Sequence, residues 1–405
     1  MATYKEQNKL NVPHLRFPEF QGEWEKCKLG DIATLTKGSG ISKDQRSASG
    51  TPCILYGELY TTYKSEVIDY VVSKTDISDK NLVRSCSNDI IIPSSGETAI
   101  DISTARCVLS PDVLLGGDLN IIRLKDGDGR FFSYQLNGVR KHDIAKIAQG
   151  VSVVHLYGES IKGLTVSFPS NKEQQKISTL LSLIDERIAT QSKLIEDLKK
   201  LKSAIIENVF DDKHSERLQL DNVGSYIRGL TYSSNDVVEH GGTLVMRSNN
   251  IVNGSLLDFN NNVVFVNKQM SAEQQLQNGD IVICMANGSS SLVGKSSYYD
   301  GNWHSPITVG AFCGIYRSKE PIVKWLFQTN KYRRYIWNSL QGGNGAIANL
   351  NGEDILNMSF SIPNAPIKDT CVKMLTSVDS ALENNILLCA LYTLQKQHLL
   401  RQMFI

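Results

Sequence analysis

The segment from residue 288 to residue 296 combines glycines, serines and a lysine in the manner of a phosphate-binding loop. A P-loop places four residues between its glycines and opens a helix, whereas five residues separate Gly288 from Gly294 here. Residues 297–301 do not begin a helix, so a helix N-terminus for the phosphate is missing. Residues 37–40 lack the third glycine of a dinucleotide fingerprint. Neither segment predicts a nucleotide site.

Other reactive residues do not form a catalytic pattern either. The seven histidines include no His-Glu-x-x-His pair, and no Gly-x-Ser-x-Gly elbow occurs. Pro111-Asp112 is not followed by the acidic-x-Lys of a metal-dependent nuclease, and no Asp-Pro-Pro-Tyr tetrapeptide for adenine methylation is present. The eight cysteines lie far apart without zinc-ligand spacing, which predicts reduced, mostly buried thiols. The sequence therefore predicts a binding protein with no catalytic residue and no metal site.

Length and charge place limits on the kind of protein. The chain has 405 residues with 43 Lys+Arg against 42 Asp+Glu, which predicts two or three domains and excludes collagen-like, disordered and disulfide-scaffold classes. Near-neutral charge argues against non-specific coating of nucleic acid, although a local basic face is compatible with it. Residues 1–10 lack a secretory apolar region and no stretch has the roughly 18 apolar residues of a membrane span. We expect a cytoplasmic protein with no membrane partner.

The sequence contains a long internal repeat. Leu29-Gly30 recurs as Val223-Gly224, the stretch 156–161 recurs as 350–355, and Phe210 recurs as Phe404, all at an offset of 194 residues. Between these anchors the offset falls to 191, which is ordinary loop variation. A period this long indicates one domain-plus-helix unit used twice instead of a solenoid.

Each copy begins with β-branched runs and ends with a helical period. Runs that predict strands lie at 52–56, 89–93 and 119–122, and at 243–246, 263–266 and 280–284. A heptad pattern then predicts a helix from Ile177 to Ile205, about 43 Å long at ~1.5 Å per residue and so comparable with a dozen base pairs. The predicted seam consists of Ile177, Leu181, Ile184, Ile188, Gln191, Ile195, Leu198, Leu375, Val378, Leu382, Asn385 and Tyr392.

Polar residues interrupt this seam at equivalent places. Gln191 corresponds to Asn385, and Lys202 corresponds to Lys396. A polar seam residue can fix register, and we expect Gln191 and Asn385 to pair across the helices or to specify their register, so that replacing both with Leu alters assembly. For the two lysines the pattern leaves two interpretations open: a specific polar contact, or an exposed position near a helix end.

Two stretches resemble type I restriction-modification specificity subunits. They are residues 11–32, which contain Asn11-Val12-Pro13-His14-Leu15-Arg16-Phe17-Pro18 and Trp24-Glu25-Lys26, and residues 169–210, which contain Glu173-Gln174-Gln175-Lys176-Ile177. The resemblance covers essentially the whole chain. It implies an α+β fold in which two pseudo-repeated α/β target-recognition domains are joined by two long antiparallel coiled-coil helices. The implied domains are an N-terminal segment 1–23, recognition domains 24–169 and 216–363, and helices 170–215 and 364–405.

The resemblance also implies a function and partners. Such a subunit is non-catalytic and reads a bipartite, asymmetric site in double-stranded DNA, while its helices set the unspecified gap. Two methylation subunits would dock on the helices and supply S-adenosylmethionine and adenine N6 transfer, and motor-nuclease subunits would supply ATP- and Mg²⁺-dependent cleavage. No cofactor is then expected on this chain. Because adenine methylation needs a flipped base, the reader must hold the duplex while a partner reacts.

Candidate DNA-binding residues lie in loops that leave the predicted strands. Base reading needs Arg, Lys, Asn or Gln at base edges, together with phosphate contacts. The candidates are Lys37, Tyr56, Glu58, Ser94, Ser95, Glu97 and His155 in the first copy, and Arg228, Arg247, Asn249, Asn250, Asn287, Lys295 and Asn349 in the second. Lys37 and Arg228 are equivalent and are the main phosphate-contact candidates, and Arg247→Ala is expected to weaken DNA binding. For each of these residues a solvated loop or turn position is the alternative.

Two other classes of function compete with this interpretation. A two-domain coiled-coil adaptor would bind proteins and no nucleic acid, and it is the principal alternative. An enzyme would be a nucleotide hydrolase that uses Lys295, or a single-chain methyltransferase, and the spacings described above argue against both.

Overall fold

The computed structural model describes residues 11–77, 81–211, 216–260, 262–341 and 348–405. The chain divides into two compact units. We call residues 1–193 with 386–405 the first unit, and residues 194–385 the second unit. Each unit contains a mixed α/β domain and a part of both long helices.

The first unit is built around a five-stranded sheet. Its strands, in spatial order, are Ala33–Lys37, Leu119–Leu124, Asp89–Pro93, Arg106–Val108 and Val67–Ile68. All neighbours are antiparallel except the last pair. The central strand Asp89–Pro93 is buried along its whole length, as expected for an apolar run covered on both faces.

Smaller sheets and short helices complete the first unit. A three-stranded sheet has the order Lys74–Thr75, Thr51–Ile54, Leu114–Leu115, and two strand pairs join Glu25–Lys28 with Thr165–Phe168 and Ser95–Gly96 with Val154–His155. The helices are Leu29–Ile32, Glu58–Thr61, Ala99–Ile102, Gly129–Asn137, Lys141–Ile147 and Gly158–Lys162, with a 3₁₀ turn at Lys43–Gln45.

The second unit repeats this plan with two four-stranded sheets. One has the order Gly224–Arg228, Cys313–Ser318, Ile281–Cys284, Ser296–Tyr298, and the other has the order Val237–Val238, Val264–Val266, Thr243–Met246, Ile307–Val309. Strand pairs join Glu216–Gln219 with Ser359–Ile362 and Ala286–Asn287 with Ala348–Asn349. The helices are Leu220–Val223, Val323–Leu326, Asn330–Gln341 and Gly352–Leu356, with 3₁₀ turns at Ser234–Asp236, Ser248–Asn250 and Ser290–Leu292. Strands occur at each of the six predicted runs.

Two long helices, Asn171–Val209 and Ala365–Gln402, follow the two domains. The first has 39 residues and is about 58 Å long at ~1.5 Å per residue, longer than the 29 residues of the heptad pattern. In the first unit Asp185 contacts Lys396 while Ser192 lies 3.6 Å from Cys389, so the two helices run in opposite directions there. The fold class drawn from the resemblance is confirmed.

The seam residues of these helices are the less exposed ones. Ile177, Leu181 and Ile184 are buried in the first unit, and Leu375 and Leu382 are buried in the second. The ends of the helices also enter the domain cores, where Phe404 packs on Trp24 and Phe131, and Phe210 joins the core of the second unit. Because helix residues complete each core, the boundary between the two compact units falls within each long helix, at residues 193–194 and 385–386. The boundaries predicted from the sequence instead treat each helix as a separate domain.

Candidate nucleic-acid interface

In the first unit, the turn that precedes the strand Leu119–Leu124 brings together the ends of several strands. The Gly38 N–H donates to Leu119 O at 3.0 Å, and the Ser94 N–H donates to Asp118 O at 2.7 Å. Ser95 pairs with His155 in a two-stranded ladder. We call Lys37, Ser95, Asp118 and His155 the first rim. Lys37, Asp118 and His155 are exposed, so the rim presents a cation, a carboxylate and an imidazole to solvent.

Two aromatic residues extend this surface. Tyr157 is exposed and its ring stacks on the His155 ring, with centroids 6.3 Å apart and planes 29° apart. Tyr56 lines a half-open cavity of about 980 Å³ together with Arg46 and Asp118. Aromatic faces and nearby cations are the features with which proteins stack on bases and contact phosphates. Tyr157 was not among the residues that the sequence analysis selected.

Glu58, Ser94 and Glu97 occupy three different environments. Glu58 is buried, where its carboxylate accepts the Leu55 N–H at 2.8 Å and the Ser73 hydroxyl. Ser94 is also buried, behind the rim, whereas Glu97 is exposed beyond the Ser95–Gly96 strand. Glu58 is therefore held by turn contacts, and we remove it from the set of direct DNA contacts.

The second unit contains an equivalent turn. The Phe312 carbonyl accepts the Met285 and Ala286 N–H groups at 2.8 and 3.1 Å, and Ala286 pairs with Asn349. Arg228 ends the neighbouring strand. We call Arg228, Asn287, Phe312 and Asn349 the second rim. Arg228, Phe312 and Asn349 are exposed, and Phe312 is missing from the sequence-based candidates.

Asn287 contributes less to this surface than the other members of the second rim. Its side-chain oxygen accepts the Ser289 N–H at 3.0 Å, and its amide group lies 3.3 Å from the Ser248 hydroxyl. Asn287 is only partly exposed, so much of its hydrogen-bonding capacity is used to shape the turn. Asn349 is the more accessible amide.

Arg247, Asn249 and Asn250 lie in one turn but play different parts. Asn250 is fully buried, accepts the Arg247 N–H at 2.9 Å and donates to Asp258 O at 3.0 Å. The Arg247 guanidinium donates to Asn262 O at 2.9 Å and is half-buried, whereas Asn249 is exposed. We therefore assign Asn250 to the fold of the turn and keep Asn249 and Arg247 as candidates for DNA contact.

Lys295 is partly exposed, and its carbonyl accepts the Cys284 N–H at 2.9 Å. It lines a half-open cavity of about 240 Å³ with Arg333 and with Trp337, whose side chain is 64% exposed. The glycine-rich segment around it forms the 3₁₀ turn Ser290–Leu292 and then enters a strand at Ser296. This local structure agrees with the rejection of a P-loop, because no helix follows the turn.

A buried charged network anchors the long helices in the first unit. Lys396 lies 2.5 Å from the Asp185 carboxylate and also contacts Glu66. The Tyr134 hydroxyl donates to Asp185 at 2.8 Å, and burial raises the pKa of Tyr134 strongly. Arg106 is buried nearby and donates to two backbone carbonyls. For Lys396, the structure favours the specific polar contact over the exposed position.

An equivalent network in the second unit has a different composition. Lys202 lies 2.7 Å from Asp379, and Lys324 lies 2.8 Å from the same carboxylate. The Trp325 indole N–H also donates to Asp379 at 3.0 Å. Burial lowers the pKa of Lys202, and the Asp379 charge opposes that shift. Lys202 is therefore a buried member of an ion pair as well. Neither aspartate was predicted as a partner from the sequence, although both lie at equivalent helix positions.

Five of the eight cysteines are buried, and Cys27 and Cys389 are partly exposed. All eight are free, and Cys86 is the exposed one. Burial raises the pKa of Cys53 to about 11, and it raises the pKa values of Cys107 and Cys313 further. Within the described ranges, no group of three or more His, Cys, Asp or Glu side chains is arranged to hold a metal ion. No helix among the described residues has the length and apolar character needed to cross a membrane.

The sequence of this chain matches the model of a known protein family. A family model described as "Type I restriction modification DNA specificity domain" matches residues 21–200 and 213–388. The chain belongs to this family. The two matches correspond to the two copies of the repeat, and the resemblance of residues 11–32 and 169–210 to specificity subunits is confirmed.

Individual relatives agree with this assignment. The EcoKI specificity subunit of Escherichia coli is 35% identical over 155 residues, which cover 36% of this chain and 31% of that protein. The MjaVIII specificity subunit of Methanocaldococcus jannaschii is 26% identical over 214 residues, which cover 52% and 46%. The matched segments thus span about a third to a half of these curated relatives.

Solved structures show the same fold. A type I restriction-modification S subunit from M. genitalium superposes with a TM-score of 0.65 at 17% identity, covering 97% of this chain and 99% of that one. A chain from a study of assembly and conformational transition of the type I system gives a TM-score of 0.51 at 12% identity, covering 94% and 97%. At these identities the similarity shows the fold alone.

Proposed function

We propose that this protein is the DNA sequence-specificity subunit of a type I restriction-modification complex, and that each unit reads one half of a bipartite, asymmetric site. The observation that carries the proposal is the presence of two geometrically equivalent rims with different side chains. Lys37 and Arg228 occupy equivalent strand ends, whereas His155 and Asn349 face solvent at a second equivalent position. Equivalent scaffolds with different polar residues suit two different half-sites.

The cations of the rims support binding to the DNA backbone. Lys37 and Arg228 are exposed at the strand ends, and the neighbouring Arg46 lines the cavity beside Tyr56. Arg333 and Lys295 line the second cavity. Such residues neutralise phosphates and fix the register of a protein on a duplex, and exposed amides and aromatic rings then read base edges. The neutral charge of the whole chain is compatible with these local basic surfaces.

Outward-facing apolar residues on the long helices support docking of partner subunits. In the first unit Leu387, Leu391 and Leu394 are 50–59% exposed and lie on one helical face. In the second unit Leu194 and Leu201 are exposed two turns apart. Contiguous exposed apolar side chains are typical of protein interfaces. We assign this surface to two methylation subunits, with motor-nuclease subunits joining the assembly.

The proposed division of labour leaves the chemistry to the partners. S-adenosylmethionine, ATP and Mg²⁺ would bind the methylation and motor-nuclease subunits, and this chain would hold the duplex while a target adenine is flipped. The helix pair would set the unspecified gap between the half-sites, and the assembly would act in the cytoplasm.

Methylation-sensitive sequencing of a host that carries this chain with its methylation partner tests the proposal. We expect a bipartite motif with N6-methyladenine in each half. Exchange of the first recognition domain for that of another family member should replace one half of the motif and preserve the other. A continuous motif, or normal assembly with the partner and no methylated motif, would contradict the proposal. The second of these results would favour the adaptor function.

A further inference from the structure

Phe312 is a large apolar residue that the fold holds in solvent. Its side chain is 67% exposed, and it precedes the strand Cys313–Ser318 directly. Its own carbonyl accepts two backbone hydrogen bonds, from Met285 at 2.8 Å and Ala286 at 3.1 Å. The backbone at Phe312 is therefore fixed, while the ring projects from it without a covering partner in the described part of the second unit.

The turn that carries Phe312 is packed closely against its neighbours. A Cβ added at Gly229 would lie 2.2 Å from Gly310 O, so only glycine fits beside this turn. The Gly229 N–H donates to Cys313 O at 3.2 Å. This contact places Arg228 at the strand end next to Phe312. The backbone that carries Phe312 is thus held next to the strand that ends with the cation Arg228, as expected of a contact residue and not of a loosely held loop.

The polar neighbours of Phe312 indicate what kind of partner it meets. Arg228 lies at one side, and on the other side Ala286 links the turn to Asn349. A phosphate-binding cation and an accessible amide are the usual companions of a base-reading side chain. In the major groove the apolar group that a base edge offers is the thymine methyl group, and an Asn side chain there pairs with adenine.

We propose that Phe312 is a specificity-determining residue that contacts a thymine methyl group in the half-site read by the second unit. Asn349 is placed to read adenine alongside it, so the two residues together select an A·T pair. This inference rests on the proposed function. At the equivalent turn of the first unit the residue is Asp118, whose carboxylate cannot make an apolar contact. At this turn, only the second unit can therefore contact a thymine methyl group.

The experiment replaces thymine by deoxyuridine, which lacks the methyl group, one position at a time in duplexes that carry the motif found by methylation sequencing. Affinity is measured for the complex of this chain with its methylation partner, as wild type and as Phe312→Ala, Phe312→Leu and Asp118→Ala. We expect one thymine of the second half-site at which deoxyuridine weakens the wild type about fourfold, the effect of one lost methyl contact. Phe312→Ala should bind the thymine duplex and the deoxyuridine duplex with equal affinity. Phe312→Leu should keep most of the preference for the thymine duplex.

The controls separate this inference from the proposed function. Asp118→Ala should retain the wild-type response to deoxyuridine, and co-purification with the methylation partner verifies that each variant is folded. Three results would overturn the methyl contact while a bipartite motif still supports the proposed function. They are no effect of deoxyuridine on wild-type affinity, no A·T pair in the second half-site, and an unchanged deoxyuridine effect in Phe312→Ala. Another outcome would be that Phe312→Ala loses the same affinity for the thymine and the deoxyuridine duplex, while the wild type binds the two duplexes equally. This result would indicate insertion of the ring between bases and would also overturn the methyl contact. Absence of any motif would refute both.

Discussion

Asp89 begins the strand Asp89–Pro93, and Asp280 directly precedes the equivalent strand Ile281–Cys284 of the other unit. Each aspartate is buried against an arginine. Arg123 holds Asp89 through hydrogen bonds of 2.8 and 2.7 Å, and Arg317 holds Asp280 at the same two distances. In both pairs the hydrogen bond to the carboxylate raises the pKa of the arginine. The turns next to these strands have equivalent backbones but different side chains, since Asp118 in one unit occupies the position of Phe312 in the other. The ion pair that fixes the sheet is thus the same in both units, whereas the solvent-exposed residue of the turn differs.

The charged networks at the long helices are partly the same and partly different between the two units. Both contain one lysine and one aspartate from opposite helices, Lys396 with Asp185 and Lys202 with Asp379. The remaining members differ, because Glu66 adds a second carboxylate in the first unit and Lys324 adds a second cation in the second. The shared pair accounts for the repeated lysine in the sequence, and the additional residues belong to the individual domains.

The largest expected effect tests this difference between the networks. Lys396→Met would leave Glu66 and Asp185 buried without their shared cation, which should cost about 3–5 kcal/mol. Lys202→Met would leave Asp379 paired with Lys324, so the cost should be about 1.5–3 kcal/mol. Urea unfolding of the full chain measures both, and the exposed Lys200→Met serves as the control with no measurable change. A larger loss in Lys202→Met than in Lys396→Met would contradict the assignment.

A second prediction separates buried turn residues from exposed ones in both units. Glu58→Ala and Asn250→Ala should each destabilise the fold by about 1–3 kcal/mol, because each removes a buried acceptor of a backbone N–H. Tyr56→Ala and Asn249→Ala should leave the melting temperature unchanged and weaken binding to the cognate duplex. Differential scanning calorimetry and fluorescence anisotropy provide the two measurements. Loss of affinity at full stability in Asn250→Ala would return that residue to the interface.

The equivalent cations of the two rims give the third prediction. Lys37→Ala and Arg228→Ala should each weaken duplex binding about tenfold, as loss of a charge-assisted hydrogen bond to phosphate would. Each should also reduce the salt dependence of log K by about one unit. Lys125 and Lys319 follow the far ends of the strands Leu119–Leu124 and Cys313–Ser318, so Lys125→Ala and Lys319→Ala are matched controls. Equal losses in the controls would show a diffuse charge effect instead of a rim.

The sequence predicted the repeated architecture because its evidence is periodic and long. The heptad positions and the strand runs such as Asp89–Pro93 are set by burial, which leaves a pattern in residue type. The partner of a buried charge leaves no such pattern. The sequence shows Lys396 as a polar break in the seam, but its partner Asp185 lies on the other helix, and only the packing of the two helices links them.

The interface was less predictable for a related reason. Polar loop residues such as Asn249 and Asn250 look alike in a sequence, and only the fold shows that one is exposed and the other fully buried. Phe312 was overlooked because an isolated aromatic residue usually indicates a core position. A comparison of the two repeats at this turn could have drawn attention to it, since Asp118 shows that the position tolerates solvent.

The smallest expected effect distinguishes the units by thiol chemistry. Cys86, in the first unit, is the exposed cysteine, whereas Cys284, Cys313 and Cys371 of the second unit are buried. Burial raises the pKa of Cys53 to about 11, so this thiol stays protonated up to a higher pH in the folded chain than when unfolded. The free energy of unfolding should therefore fall as the pH rises above about 9, because the unfolded state loses this proton before the folded state does. At pH 8, brief maleimide labelling followed by peptide mass mapping should modify Cys86 first, and Cys86→Ser should abolish the rapid phase. Rapid modification of Cys313 in the native chain would show that the second unit opens at its rim, which would undermine the fixed position of Phe312.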